Sequence, residues 1–131
     1  MQHEAHSLRT TLGRVRGLGS AKEGVHHWYA ERWTSIALIP LNLWFIAAVI
    51  GHIGASHAEF IAWLSRPFPA VMMILNVALI MYHTALGLQV VLEDYVHNEL
   101  LKTLSILAVK GACLALAVAG IFAVAKISFG A

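Results

Sequence analysis

The sequence predicts an all-α membrane protein of three transmembrane helices, and three observations carry that expectation. Of the 131 residues, 59% are hydrophobic and 12% charged, about half the charge of an ordinary soluble domain. Three apolar runs are each long enough to cross a bilayer, which takes about 20 residues of helix. The runs are unbroken rather than alternating, so they do not read as barrel strands, and only helices or closed barrels satisfy the backbone in lipid. A mean hydropathy of +0.71 excludes a water-soluble enzyme and a disordered chain. The formal charge of +2 is too small and scattered for a nucleic-acid footprint. A single cysteine forms no internal disulfide, and there is no CxxC pattern.

Residues 1–32 read as a cytoplasmic arm, made flexible by Gly13, Gly17, Gly19 and Gly24. The arm has no compact apolar run near its start, so it does not read as a secretory signal. The first span covers residues 33–53, with Trp28, Tyr29 and Trp33 as interfacial anchors at its entrance. Pro40 and Asn42 are expected to loosen it, while His52 and His57 receive no role. The loop 54–66 carries one basic residue, Arg66, against Arg9, Arg14, Arg16, Lys22 and Arg32 before the first span. The positive-inside rule then puts the N-terminus in the cytoplasm and the C-terminal tail, residues 128–131, outside.

The second span, residues 67–92, holds the most informative pattern. Asn76, His83, Gly87 and Asp94 fall within an arc of about 40° on a helix. Polar groups at membrane depth face protein or a cavity, so this stripe is buried against something other than lipid. Two readings fit: a polar packing seam between helices, or a cofactor site with His83 as ligand and Gly87 opening space beside it. The third span, residues 103–127, carries a small-residue stripe of Ala108, Ala112, Ala115, Ala119 and Ala123, which reads as its packing surface. Lys110 either snorkels to the headgroups or neutralises an anion within the helices; Cys113 reads as a small core residue.

Depth decides what His83 can do alone. Counting from Leu92 it lies about 13 Å into the membrane, whereas His52, counted from Trp33, lies about 28 Å in. The two are too far apart to clamp one haem iron, and His26 and His27 fall outside the span. A bis-histidine haem therefore takes its second ligand from another polypeptide.

Two motifs carry a resemblance. Gly24-Val25-His26, followed by Arg32-Trp33-Thr34-Ser35-Ile36-Ala37-Leu38, and His83-Thr84-Ala85-Leu86-Gly87-Leu88-Gln89-Val90-Val91-Leu92-Glu93-Asp94-Tyr95-Val96 are similar to the D-type hydrophobic membrane-anchor subunits of succinate dehydrogenase. The resemblance covers residues 24–127. It implies a respiratory complex of flavoprotein, iron–sulfur protein and two anchors, C and D, sharing one haem b and passing electrons from succinate to ubiquinone. The chain alone is then non-catalytic, because flavin and iron–sulfur fingerprints are absent. The resemblance gives His83 as the haem iron's axial ligand, with the second ligand on anchor C. It puts His26 and Arg32 on the haem-propionate side, where an arginine fork suits a carboxylate. Asp94 and Tyr95 match the ubiquinone site, the phenol donating to a quinone carbonyl and the carboxylate relaying protons. Without a convincing transit peptide, a bacterial cytoplasmic membrane is the expected home ahead of a mitochondrial inner membrane. A helical membrane subunit without redox chemistry, such as an assembly or channel accessory, is the rival reading; there His83 is only a polar packing residue.

Overall fold

The computed structural model describes Leu12 and residues 22–130, with side chains from residue 24 onward. Four helices follow in order: α1 Lys22–Gly51, α2 His57–Leu64, α3 Pro67–Tyr95 and α4 Glu99–Ser128. The described residues contain no strand, and α1, α3 and α4 are long and apolar enough to cross a membrane. Gly13, Gly17 and Gly19 of the expected arm lie outside the described residues.

The first helix departs from expectation by starting eleven residues before Trp33. The charged and histidine residues between 22 and 32 lower hydropathy, but none of them breaks a helix, and a lone Gly24 costs only about 1 kcal/mol. Hydroxyls within α1 bond back onto their own helix. Thr34 Oγ1 donates to the Ala30 carbonyl at 2.7 Å and Ser35 Oγ to the Glu31 carbonyl at 2.7 Å. Polar side chains are thus accommodated at membrane depth. Pro40 does not end the helix; it removes one N–H and frees the Ile36 carbonyl.

The short α2 was not expected. Its start is a capping box: Glu59 N–H donates to Ser56 Oγ at 3.3 Å, and Ser56 N–H returns to Glu59 Oε2 at 2.7 Å. These Ser56 hydrogen bonds, the backbone one first, hold the Glu59 carboxyl below its ordinary value of 4.5. The helix tucks Trp63 over the end of α1. Trp63 lies 4.2 Å from the His52 ring and stacks on Trp44 at 6.1 Å between centroids. His52 Nδ1 donates to the Ala48 carbonyl at 2.7 Å, so this histidine is a packing and capping group. Arg66 then caps α3, with Pro67 at the first helical position, where its missing N–H costs nothing. Asn98 opens α4 by accepting from Leu101 N–H at 3.0 Å.

The three long helices form a row rather than a closed bundle. The central α3 packs against α1 on one side and α4 on the other, and α1 and α4 do not pack on each other. Pairing of Trp44 with Phe68 and of Thr34 with His83 makes α1 and α3 antiparallel. The core between the helices is thin: Leu64, Ala70 and Val124 gather at the α2 end with Trp63, Met73, Ile74 and Ile127 around them.

The alanine stripe of α4 is not its packing surface against α3, because Ala108, Ala112, Ala115, Ala119 and Ala123 are all exposed. The buried face instead carries Cys113 and Val124, with Gly120 between them. A Cβ on Gly120 would lie 2.9 Å from Val77 Cγ1, whereas one on Gly111 would meet nothing within 4 Å. Gly120→Leu is therefore expected to push α3 and α4 apart at an overpacking cost of about 1–3 kcal/mol. Thermal unfolding of the purified complex checks it: Tm drops for Gly120→Leu and holds for Gly111→Leu. Equal Tm values for the two would contradict the close approach.

Candidate functional site

His83 is the best-defined polar group in the helical row. Its Nδ1 lies 2.9 Å from Thr34 Oγ1, a contact between residues 49 apart in sequence. Thr34 is buried, with 7% of its surface exposed. Its single hydroxyl proton is committed to the Ala30 carbonyl at 2.7 Å, with the Glu31 carbonyl at 3.1 Å, since two oxygens approach so closely only across a proton. Thr34 Oγ1 must then accept, so His83 carries its proton on Nδ1. In the neutral imidazole this makes Nε2 the lone-pair nitrogen, and no hydrogen bond to it occurs among the described residues. Neutral imidazole with one nitrogen tied and the other free is the state in which histidine binds a metal. Gly87, one turn along α3, leaves open space where a Cβ would meet nothing within 4 Å. This donor set fits a haem iron approached from outside the chain.

The pairing also sets the register of the two helices and corrects the depth expected from hydropathy. Thr34 and His83 share one level, so α1 enters the membrane well before Trp33. His52 then stands 18 residues, or about 27 Å, from the His83 level rather than about 15 Å. Among the described residues no other histidine is level with His83: His27 lies seven residues from Thr34, about 10 Å toward the α1 start.

The remaining expected residues are dispersed. Asp94 and Tyr95 close α3, about 18 Å along the helix from His83, and both are exposed, Tyr95 at 77%. By the same register they stand beside the first residues of α1. Arg32 lies over the Trp28 ring at 5.4 Å, a cation–π arrangement on the side of α1 away from Thr34. His26 lines a groove of about 610 Å³ across the α3 surface, between α1 and α4, with His27, Tyr82, Gln89 and Lys110. The His27 Nε2 atom is buried without a partner among the described residues. Lys110 thus shares an apolar-floored groove with two histidines. Asn76, on the polar stripe with His83, is 5% exposed and its Oδ1 has no partner among the described residues. Among these residues only Thr34 bonds directly to His83.

Residues 6–124 match the family model of the succinate dehydrogenase/fumarate reductase transmembrane subunit. The chain belongs to this family. It is 35% identical over 106 residues to the succinate dehydrogenase hydrophobic membrane anchor subunit of Rickettsia bellii, covering 80% of this chain and 84% of that one. The corresponding subunit of Paracoccus denitrificans is 34% identical over 117 residues, covering 89% and 90%. A succinate dehydrogenase membrane anchor subunit from Reclinomonas americana is 29% identical over 92 residues, covering 68% and 77%. The chain is thus a multi-pass membrane anchor of the succinate dehydrogenase type. Its family implies further subunits of the same complex.

Sequence reasoning passed over Thr34, although the residue stands inside the first motif. No periodicity signals it: its partner is on another helix, and only the α1–α3 register brings the two together. His27, expected outside the span, lies within α1 yet still stands about 10 Å from the level of His83.

Proposed function

We propose that this subunit supplies His83 as one axial ligand of a haem b shared with a second anchor subunit, and that Tyr95 and Asp94 complete a ubiquinone site. The free Nε2 of His83 carries the reading. Unlike the buried, unpartnered His27 Nε2, the His83 Nε2 is not enclosed by the described residues, so a group from outside the chain can reach it. That no second histidine among the described residues stands at this level supports a partner-supplied second ligand.

When bound, the haem supplies one-electron chemistry beside the route from succinate to quinone. The chain's own residues bind and orient. Tyr95, at the open end of α3, donates its hydroxyl proton in a hydrogen bond to a quinone carbonyl without adding charge. Asp94 beside it hands on a proton as the quinone is reduced. Arg32 and His26 lie between the Thr34 level and the α1 start, about 3 and 12 Å from it. The resemblance assigns both to the propionates, whose carboxylates match an arginine fork; Arg32 has to swing off the Trp28 ring to reach them. The flavoprotein and iron–sulfur partners dock on the side that holds Tyr95 and the start of α1. That side is the cytoplasm of a bacterial cell, following the excess of basic residues before α1.

The test is to purify the complex through this chain and record its reduced-minus-oxidised visible spectrum alongside its subunit composition. A b-type band with flavoprotein, iron–sulfur protein and a second anchor is the expected result. A complete complex without haem overturns the ligand assignment; absence of those partners overturns the whole reading.

A further inference from the structure

We propose that Thr34 is a positioning residue for the haem ligand: its hydroxyl fixes the tautomer and the rotation of the His83 ring and raises the electron-donating power of Nε2. The inference rests on the assignment of His83 as an axial ligand. It starts from the hydrogen-bond chain already described, His83 Nδ1–H to Thr34 Oγ1 at 2.9 Å and Thr34 Oγ1–H to the Ala30 carbonyl at 2.7 Å. Each bond in such a chain polarises the next. The hydroxyl oxygen is a better acceptor because its own proton is engaged, and Nδ1–H becomes more strongly polarised in turn. Electron density moves toward Nε2, which favours the oxidised iron.

The geometry also makes Thr34 a good anchor rather than an incidental neighbour. It is buried, its χ1 is restricted by β-branching, and its hydroxyl is tied to the backbone one turn earlier. The acceptor therefore has little freedom, and the imidazole plane is held about its bond to the iron. The anchor sits on α1 and the ligand on α3, so the ring is oriented across the helix interface. Outer-shell groups of this kind commonly change metal-site properties by ten- to a hundredfold in affinity or activity.

Thr34→Val keeps the shape and removes the acceptor; Thr34→Ser keeps the acceptor and removes only a methyl. Both are compared with wild type and His83→Ala in the purified complex, by redox titration of the haem and low-temperature EPR of its oxidised form. The expected result is an upward shift of the haem midpoint potential and a moved or broadened highest g-value in Thr34→Val, with Thr34→Ser following wild type. Loss of haem in Thr34→Val with retention in Thr34→Ser supports the same role. Unchanged potential and g-values in Thr34→Val, a downward shift, or failure of both variants alike overturns it. If His83→Ala keeps the wild-type haem signals, the ligand assignment itself has failed, which the Thr34 variants alone do not report.

Discussion

His83→Ala is expected to abolish the low-spin b-type spectrum of the assembled complex while leaving the flavoprotein and iron–sulfur subunits bound. The side chain offers the iron one free nitrogen, and no neighbouring group replaces it. His52 stands about 27 Å away along the helices, with Nδ1 bonded to the Ala48 carbonyl. His27 lies about 10 Å off level. Truncation also orphans the Thr34 hydroxyl oxygen as acceptor, a modest loss of about 1 kcal/mol, so the helices should still associate. The measurement is the haem-to-flavin ratio with the reduced-minus-oxidised spectrum. His52→Ala serves as the control that keeps its haem. An unaltered spectrum in His83→Ala would show that a residue outside this helix ligates the iron.

Tyr95→Phe is expected to lower quinone reduction about ten- to a hundredfold, with succinate oxidation by an artificial dye and haem content both preserved. The magnitude follows from removing a hydrogen bond to an oxygen that gains negative charge during reduction, worth about 1.5–3 kcal/mol. The residue is 77% exposed in the chain, so the substitution disturbs no internal packing, and a loss confined to quinone turnover is chemical in origin. The check is a paired assay, quinone-linked against dye-linked, on the same preparation. Equal rates with quinone for wild type and Tyr95→Phe would remove the phenol from the site.

Much of the fold was legible because hydropathy depends on composition over a window. The apolar run that begins at Pro67 marks the start of α3, where proline is favoured at the first helical position. The start of α1 was misread because residues 22–32 are polar enough to leave a hydropathy window while remaining good helix. The Ser56–Glu59 capping box that starts α2 is a sequence-level signal, and it was overlooked because the segment is too short to span. That the alanine stripe of α4 does not meet α3 was illegible for a different reason. Small side chains permit close packing on any face, and the choice of Gly120 over Ala119 depends on where Val77 of α3 stands. At the site, the motif singled out His83, Asp94 and Tyr95. The Thr34 contact was invisible because it depends on an interhelical register that no local spacing encodes.

That register has a genetic corollary. One inserted residue between His27 and Thr34 leaves the Thr34–His83 pair intact but swings His26 and His27 through about 100° around α1 and lifts them by about 1.5 Å, out of the groove they share with Lys110. The same insertion between Gly51 and Ser56 only lengthens a turn. The length of the stretch from 26 to 34 thus matters as a measure in its own right, independent of which residues fill it, whereas the length of the α1–α2 connection sets no such phase.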